Sequence, residues 1–180
     1  MKPIVTVPDT VLTNPAAEVT AFDRSLRTLL THMHETLLAT VDPKGVGLAA
    51  TQVGVALRIF ITKPTAASEI REFINPVILH KSDSLTKGIP ERENKMEGCL
   101  SIPKIWGNVH RAMSLTLQYQ DATGAKHEEV FKGFLATIIQ HETDHINGIL
   151  FTQRVLEQKE KLYQITTDDD GKEVLDEIQI

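Results

Sequence analysis

"FLATIIQHETDHINGI", Phe134 to Ile149, decides how the chain is read, because its apolar positions Phe134, Leu135, Ile138 and Ile139 recur at helical spacing. Gly148 stands where such a helix would end, as a C-cap. Residues four apart share a helix face, so His141 and His145 can point two imidazoles at one metal ion with Glu142 beside them. Two histidines four apart also occur on helices with no role beyond solubility, so the motif alone is only suggestive. A catalytic divalent ion usually takes three protein ligands and keeps a position for water, which makes the third ligand the test.

The two peptidase templates supply none that fits. A third histidine six residues after the second would fall on Phe151. A glutamate on a following helix would have to be Glu157 or Glu160, close after the motif in a segment with little helical amphipathicity. The remaining candidate is the one thiol of the chain, Cys99 in "EGCLSIP", Glu97 to Pro103. A lone cysteine is more often a small apolar core residue. Against that, Cys99 follows Gly98, where backbone can approach a site closely. A further segment, "GVGLAATQVG" from Gly45 to Gly54, packs glycines and alanines ahead of Gln52, so its backbone can near a ligand and one amide can reach in. It is not a dinucleotide fingerprint, because it follows a helix and leads into a strand.

Outward from these motifs, "AAEVTAFDRSLRTLLTHMHETLLATVDPKG" repeats apolar residues at Val19, Phe22, Leu26, Leu29, Leu30, Met33, Leu37 and Leu38, a first long helix ending before Pro43. His32 and His34 within it suit a surface or core-edge role. "VALRIFIT" from Val55 and "REFINPVILH" from Arg71 read as strands, and Ser82 to Lys95 as an exposed polar loop. "SLTLQYQDATGAKHEEVFKG" reads as a hairpin turning at Asp121 to Gly124. The acidic tail from Glu160 suggests two short strands about a DDDG turn. No repeat or long linker divides the chain, so residues 1–180 are expected to form a single domain. The order of elements argues an α+β fold, with mixed or antiparallel sheets around the central His-Glu-x-x-His helix and an additional N-terminal helix.

Composition sets the outer limits. The 180 residues are 41% hydrophobic, enough for one core, and carry a formal charge of −5, which speaks against non-specific nucleic-acid binding. A single cysteine cannot form an intrachain disulfide, and neither a signal-peptide core nor a membrane-length apolar run is apparent. A cytoplasmic monomer is the plainest expectation.

Together, in this order, "GVGLAATQ", "EGCLS" and "QHETDH" resemble the three signature motifs of peptide deformylases. The resemblance implies a metal-dependent hydrolase that removes the formyl group from N-formylmethionine of newly made polypeptides. It implies Cys99, His141 and His145 as ligands of one divalent ion, Fe²⁺ natively, with Zn²⁺, Ni²⁺ or Co²⁺ able to substitute. Glu142 is then the general base and acid that serves the metal-bound water, and Gln52 with the Leu100 N–H stabilises the oxyanion. Phe134, Thr137 and Ile138, seven, four and three residues before His141, would line the methionine pocket; spacing alone favours plain core packing for Phe134 and Ile138. Val46, Gly47 and Gly98 would hold the peptide backbone.

Asp144 and Arg111 are expected to support the site as a second layer or as a structural ion pair. Trp106 makes the peptide side of the cleft more apolar. The tail lacks the basic helix by which many relatives dock on the ribosome, so docking of that kind is not expected. Two other readings remain: an HExxH metallopeptidase, and a non-catalytic metal-binding domain, which would need a fourth ligand of its own.

Overall fold

The computed structural model describes residues 1–89, 96–168 and 171–179. Its first long helix, α1 (Arg24–Ala39), begins at Asp23, whose carboxylate accepts the N–H groups of Ser25 and Leu26 at 2.8 and 3.2 Å. That start is later than the apolar period suggests. Val19 and Phe22 precede the helix, and the Asn75 amide holds Val19 through its N–H and its carbonyl, both at 2.8 Å.

The chain continues through β1 (Gly47–Ala49), a 3-10 turn (Ala50–Val53), β2 (Ile59–Thr62), β3 (Arg71–Lys81) and β4 (Leu85–Lys87). Beyond residue 95 come β5 (Glu97–Cys99), β6 (Ile102–Gly107), β7 (His110–Ala112), β8 (Ser114–Gln120) and β9 (Lys126–Lys132). Helices α2 (Gly133–Ile146) and α3 (Phe151–Glu157) then lead to β10 (Leu162–Thr167) and β11 (Glu173–Glu177).

The strands form three antiparallel sheets, ordered β1-β2-β3-β8-β9, β11-β10-β6-β5 and β4-β7. In β2 every residue is buried, and successive side chains point to opposite faces. Ile59 and Ile61 join Leu26, Leu30, Met33 and Leu37 of α1, whereas Phe60 joins Ala136, Ile139 and Ile146 of α2. The five-stranded sheet is therefore a central layer with a helix against each face. Phe73 anchors the α2 side, its ring centroid 4.9 Å from Phe60 and 4.8 Å from Tyr119. A third cluster, including Ile102, Phe151, Val155 and Leu162, packs the four-stranded sheet against α3. The α+β class and the central motif helix agree with the sequence reading.

Several local expectations are corrected. The loop predicted from Ser82 to Lys95 contains β4, paired with β7, and its Ile89 is buried; residues 90–95 lie outside the described residues. The strand expected from Val55 starts at Ile59, because Val55 and Leu57 are engaged in turn hydrogen bonds while Ala56 and Arg58 bond to Ala17. The segment after the motif is helical after all: α3 spans two turns and buries only Phe151 and Val155, too little to display a period. The cap of α2 is Asn147, with Gly148 following at φ 74°. The tail does form two strands, and β10 adds directly to β6. Among the described residues no helix is long and apolar enough to cross a membrane.

Candidate active site

Three elements deliver the site. Gly133, at φ 60°, lets the chain turn from β9 straight into α2, which carries His141, Glu142 and His145. The pairing of β5 with β6 shifts register between Gly98, opposite Trp106, and Cys99, opposite Ile102, with the extra residues Pro103 to Ile105 on β6. The Cys99 thiol meets α2: Cys99 Sγ lies 3.1 Å from His145 Nε2, and the donor atoms of Cys99, His141 and His145 all fall within 4.8 Å of one another. A soft thiolate with two imidazoles is a donor set that suits first-row divalent metals. Burial opposes ionisation of the Cys99 thiol, but the charges and hydrogen bonds of His145 and His141 outweigh it and hold the group down at about 5. The sulfur is thus ready as thiolate.

The layer behind the Cys-His-His group is an ion-pair chain. His141 Nδ1 meets Glu97 Oε2 at 3.0 Å, which fixes the ring and leaves Nε2 for the site. Glu97 accepts two hydrogen bonds from Arg111, at 2.9 and 3.0 Å, and Arg111 donates a third to Asp144 at 2.5 Å. Asp144 also binds Arg154 at 2.8 Å. Burial works against the Glu97 carboxylate, yet Arg111 and His141 bring it down to about 2. Arg111 and Asp144 fulfil the expectation of a supporting ion pair. Glu97, the link between that pair and the histidine, carried no role in the sequence reading. The available signal was position: two residues before Cys99 on a strand, it shares the cysteine's face.

Opposite the Cys-His-His group, β1 and the 3-10 turn bring in Gln52. Its Oε1 accepts the Ala49 N–H at 2.9 Å, which directs the amide nitrogen to Cys99 Sγ at 3.4 Å and Ser101 Oγ at 3.3 Å. Glu142 is packed against the same strand so closely that a Cβ on Gly47 would stand 2.4 Å from Glu142 Oε1. Its other oxygen is buried without a hydrogen-bond partner among the described residues, and burial raises the carboxyl to about 7. A carboxyl so placed can hold or release a proton near neutrality.

One cleft of ≈ 560 Å³, mouth included, collects Val46, Gly47, Gln52, Gly98, Cys99, Leu100, Phe134, Thr137, Ile138, His141 and Glu142. His145 lies beneath it, 1% exposed. Pro43, Ile89 and Trp106 also line the cleft, and the Trp106 ring packs against Gly98, where an added Cβ would come within 2.8 Å of it. Phe151 stacks against His141 with ring centroids 6.1 Å apart, while Glu157 pairs with Arg154 and Glu160 with His110. The three ligand positions that a peptidase template would call on are thus otherwise engaged.

The polypeptide deformylase family model matches residues 1–161. The chain belongs to the polypeptide deformylase family. It is similar to the peptide deformylase of Rhizobium meliloti (strain 1021), 36% identical over 162 residues, which cover 88% of this chain and 87% of that protein. Among solved structures it resembles the peptide deformylase from Thermotoga maritima, with a TM-score of 0.76, 35% identity, and 86% and 97% of the two chains covered. A Met-Ala-Ser-bound class I type b peptide deformylase from Acinetobacter baumannii aligns with a TM-score of 0.75 at 35% identity, covering 86% of this chain and 98% of that one. Enzymes of this family are metal-dependent hydrolases that remove the formyl group from nascent polypeptides, and that is the activity of this chain.

Proposed function

We propose that Cys99, His141 and His145 are the ligands of one divalent ion, natively Fe²⁺ and replaceable by Zn²⁺, Ni²⁺ or Co²⁺. The observation that carries this reading is the convergence of a low-pKa thiol and two imidazoles beside a partly protonated, buried glutamate. When bound, such an ion lowers the pKa of water from 15.7 to about 7 and so supplies a nucleophile near neutral pH.

The chain's own residues do the remainder. Glu142 takes the proton of the attacking water and delivers it to the leaving amine, a role suited to a carboxyl near 7. Gln52 Nε2 and the Leu100 N–H receive the charge that grows on the formyl oxygen; one such donor is worth roughly 3 kcal/mol in the transition state. Phe134, Thr137 and Ile138 form the wall for the methionine side chain, and Val46, Gly47 and Gly98 hold the peptide extended. The Met-Ala-Ser complex of the Acinetobacter baumannii relative supports a cleft that accepts a methionine-headed peptide.

The same reading takes residues 1–180 as one catalytic domain, since the tail is tied to the site strands through β10 and β6. A buried thiol that must stay reduced to bind metal suits the cytoplasm. Residues 162–177 are taken up by the strands β10 and β11, so any ribosome docking through them would use this hairpin and not a basic helix.

The test uses purified protein loaded anaerobically with Fe²⁺ and given formyl-Met-Ala-Ser, with formate release and internal cleavage measured separately. Formate without internal cleavage is expected; absence of formate overturns the reading. Glu142→Ala retains metal and loses turnover, whereas Cys99→Ala loses metal. A fully active Glu142→Ala protein would show that the proton passes elsewhere.

A further inference from the structure

Helix α2 presents a second lined face. Gln140, Thr143, Asp144 and Asn147 fall at i, i+3, i+4 and i+7, away from the side that carries His141 and His145. With residues 76–81 of β3, Arg58 and Arg154 they line a groove of ≈ 830 Å³, mouth included. Three permanent cations, Arg58, Lys81 and Arg154, line it against a single carboxylate, Asp144, which is shared with the buried Arg111. In a chain of formal charge −5 this is a local inversion of sign.

Among the described residues two of those cations are uncompensated. There Arg58 donates only to neutral acceptors, Asn147 Oδ1 at 2.9 Å and the Pro76 carbonyl at 3.1 Å. Lys81 forms no ion pair among the described residues; partial desolvation lowers its pKa, Asp144 opposes that, and Arg111 and Arg154 add to it. A separate observation points to a ligand. Thr143 is 8% exposed and lines the groove, yet its hydroxyl has no hydrogen-bond partner among the described residues. A buried hydroxyl left so is costly, and an acceptor oxygen delivered between the cations would satisfy it.

We propose that this groove binds a phosphate group, with Lys81 and Arg58 meeting its charge and the Thr143 hydroxyl donating to one oxygen. The proposal does not depend on the deformylase chemistry of the other face. The excess of cations favours a dianion, inorganic phosphate or a terminal phosphate, over the single charge of a phosphodiester.

The experiment is titration of the Zn²⁺-loaded protein with inorganic phosphate at low ionic strength, followed by calorimetry and ³¹P NMR. Saturable binding is expected, weakened about 10-fold or more in Lys81→Met and in Thr143→Val and largely kept in Lys81→Arg. Formate release by Lys81→Met without phosphate should equal that of the parent protein. Dimethyl phosphate separates the sources: weaker binding than inorganic phosphate supports a free or terminal phosphate, and equal binding assigns the same groove to a backbone phosphodiester. No saturable binding, or binding that is unchanged in both Lys81→Met and Thr143→Val and so resides at the metal centre or elsewhere, overturns the proposal.

Discussion

Glu97→Gln is the most informative single change, because it removes one charge from the chain behind the metal ligands while keeping shape and a carbonyl oxygen. Glu97 is 2% exposed and accepts two hydrogen bonds from Arg111 while meeting His141 Nδ1. Its carboxyl stands at about 2 against an ordinary 4.5, burial being outweighed by Arg111 and His141. At about 1.4 kcal/mol per pH unit, that separation corresponds to ~3 kcal/mol of stability. Independently, removing one member of a buried ion pair costs roughly 3–5 kcal/mol. Asp144 still faces Arg111, which favours the lower end. For a chain of this size ~3 kcal/mol lowers Tm by about 6–12 °C.

The sign with pH follows from the depressed folded value: the contribution is fully present above about 4.5 and is lost as pH falls toward 2. Thermal melts of the metal-free proteins should therefore differ most near pH 7 and converge on acidification below pH 4. Chelator competition should show metal held about 10–100-fold more weakly in the variant, since His141 loses its charged partner. Equal Tm at pH 7 together with unchanged metal affinity would refute the assigned role of Glu97.

Gln52→Leu should lower kcat by about 10²–10³ with metal content intact, measured as steady-state formate release; a kcat within threefold of the parent would exclude the oxyanion role. Gly47→Ala places a methyl group 2.4 Å from Glu142 Oε1 and 2.9 Å from Ile138 Cγ2, so turnover should fall by about 100-fold or more while metal analysis shows the ion still bound. Phe73→Ala, at a ring in contact with Phe60, Tyr119 and Phe131, should cost roughly 3–5 kcal/mol and about 6–20 °C in Tm, with activity per folded molecule unaltered.

The residues that carry chemistry were legible because their spacing is imposed by one element each. His141 and His145 announce themselves through helical period, and the hairpin of β8 and β9 through alternation about Asp121 to Gly124. Cys99 and Gln52 could be joined to them only through the ordered motifs, because the contacts cross 46 and 47 positions of sequence and no local pattern encodes them. Glu97 was hidden for a related reason: its meaning lies in Arg111 and His141, which approach it from β7 and α2. The short strands β1, β4 and β7, three residues each, are too brief for alternation to show, and they exist by virtue of their pairing. Helix α1 started late because a cap at Asp23 and the Asn75 amide override a stretch of favourable apolar spacing.

The pairing of β10 with β6 bears on how small the enzyme can be made. The family match ends at residue 161 and β10 begins at Leu162, so a chain shortened to the shared segment would keep every proposed metal ligand. It would also strip Ile105, Trp106 and Gly107 of their β10 neighbours in the ladder and turn β6, which pairs on its other side with the cysteine's strand, into an open edge. Open edges recruit other strands, so the shortened protein should be sticky and self-associating before it is inactive. What looks like a variable appendage is the selvedge of the sheet, the finished margin that keeps the fabric beside the metal from fraying.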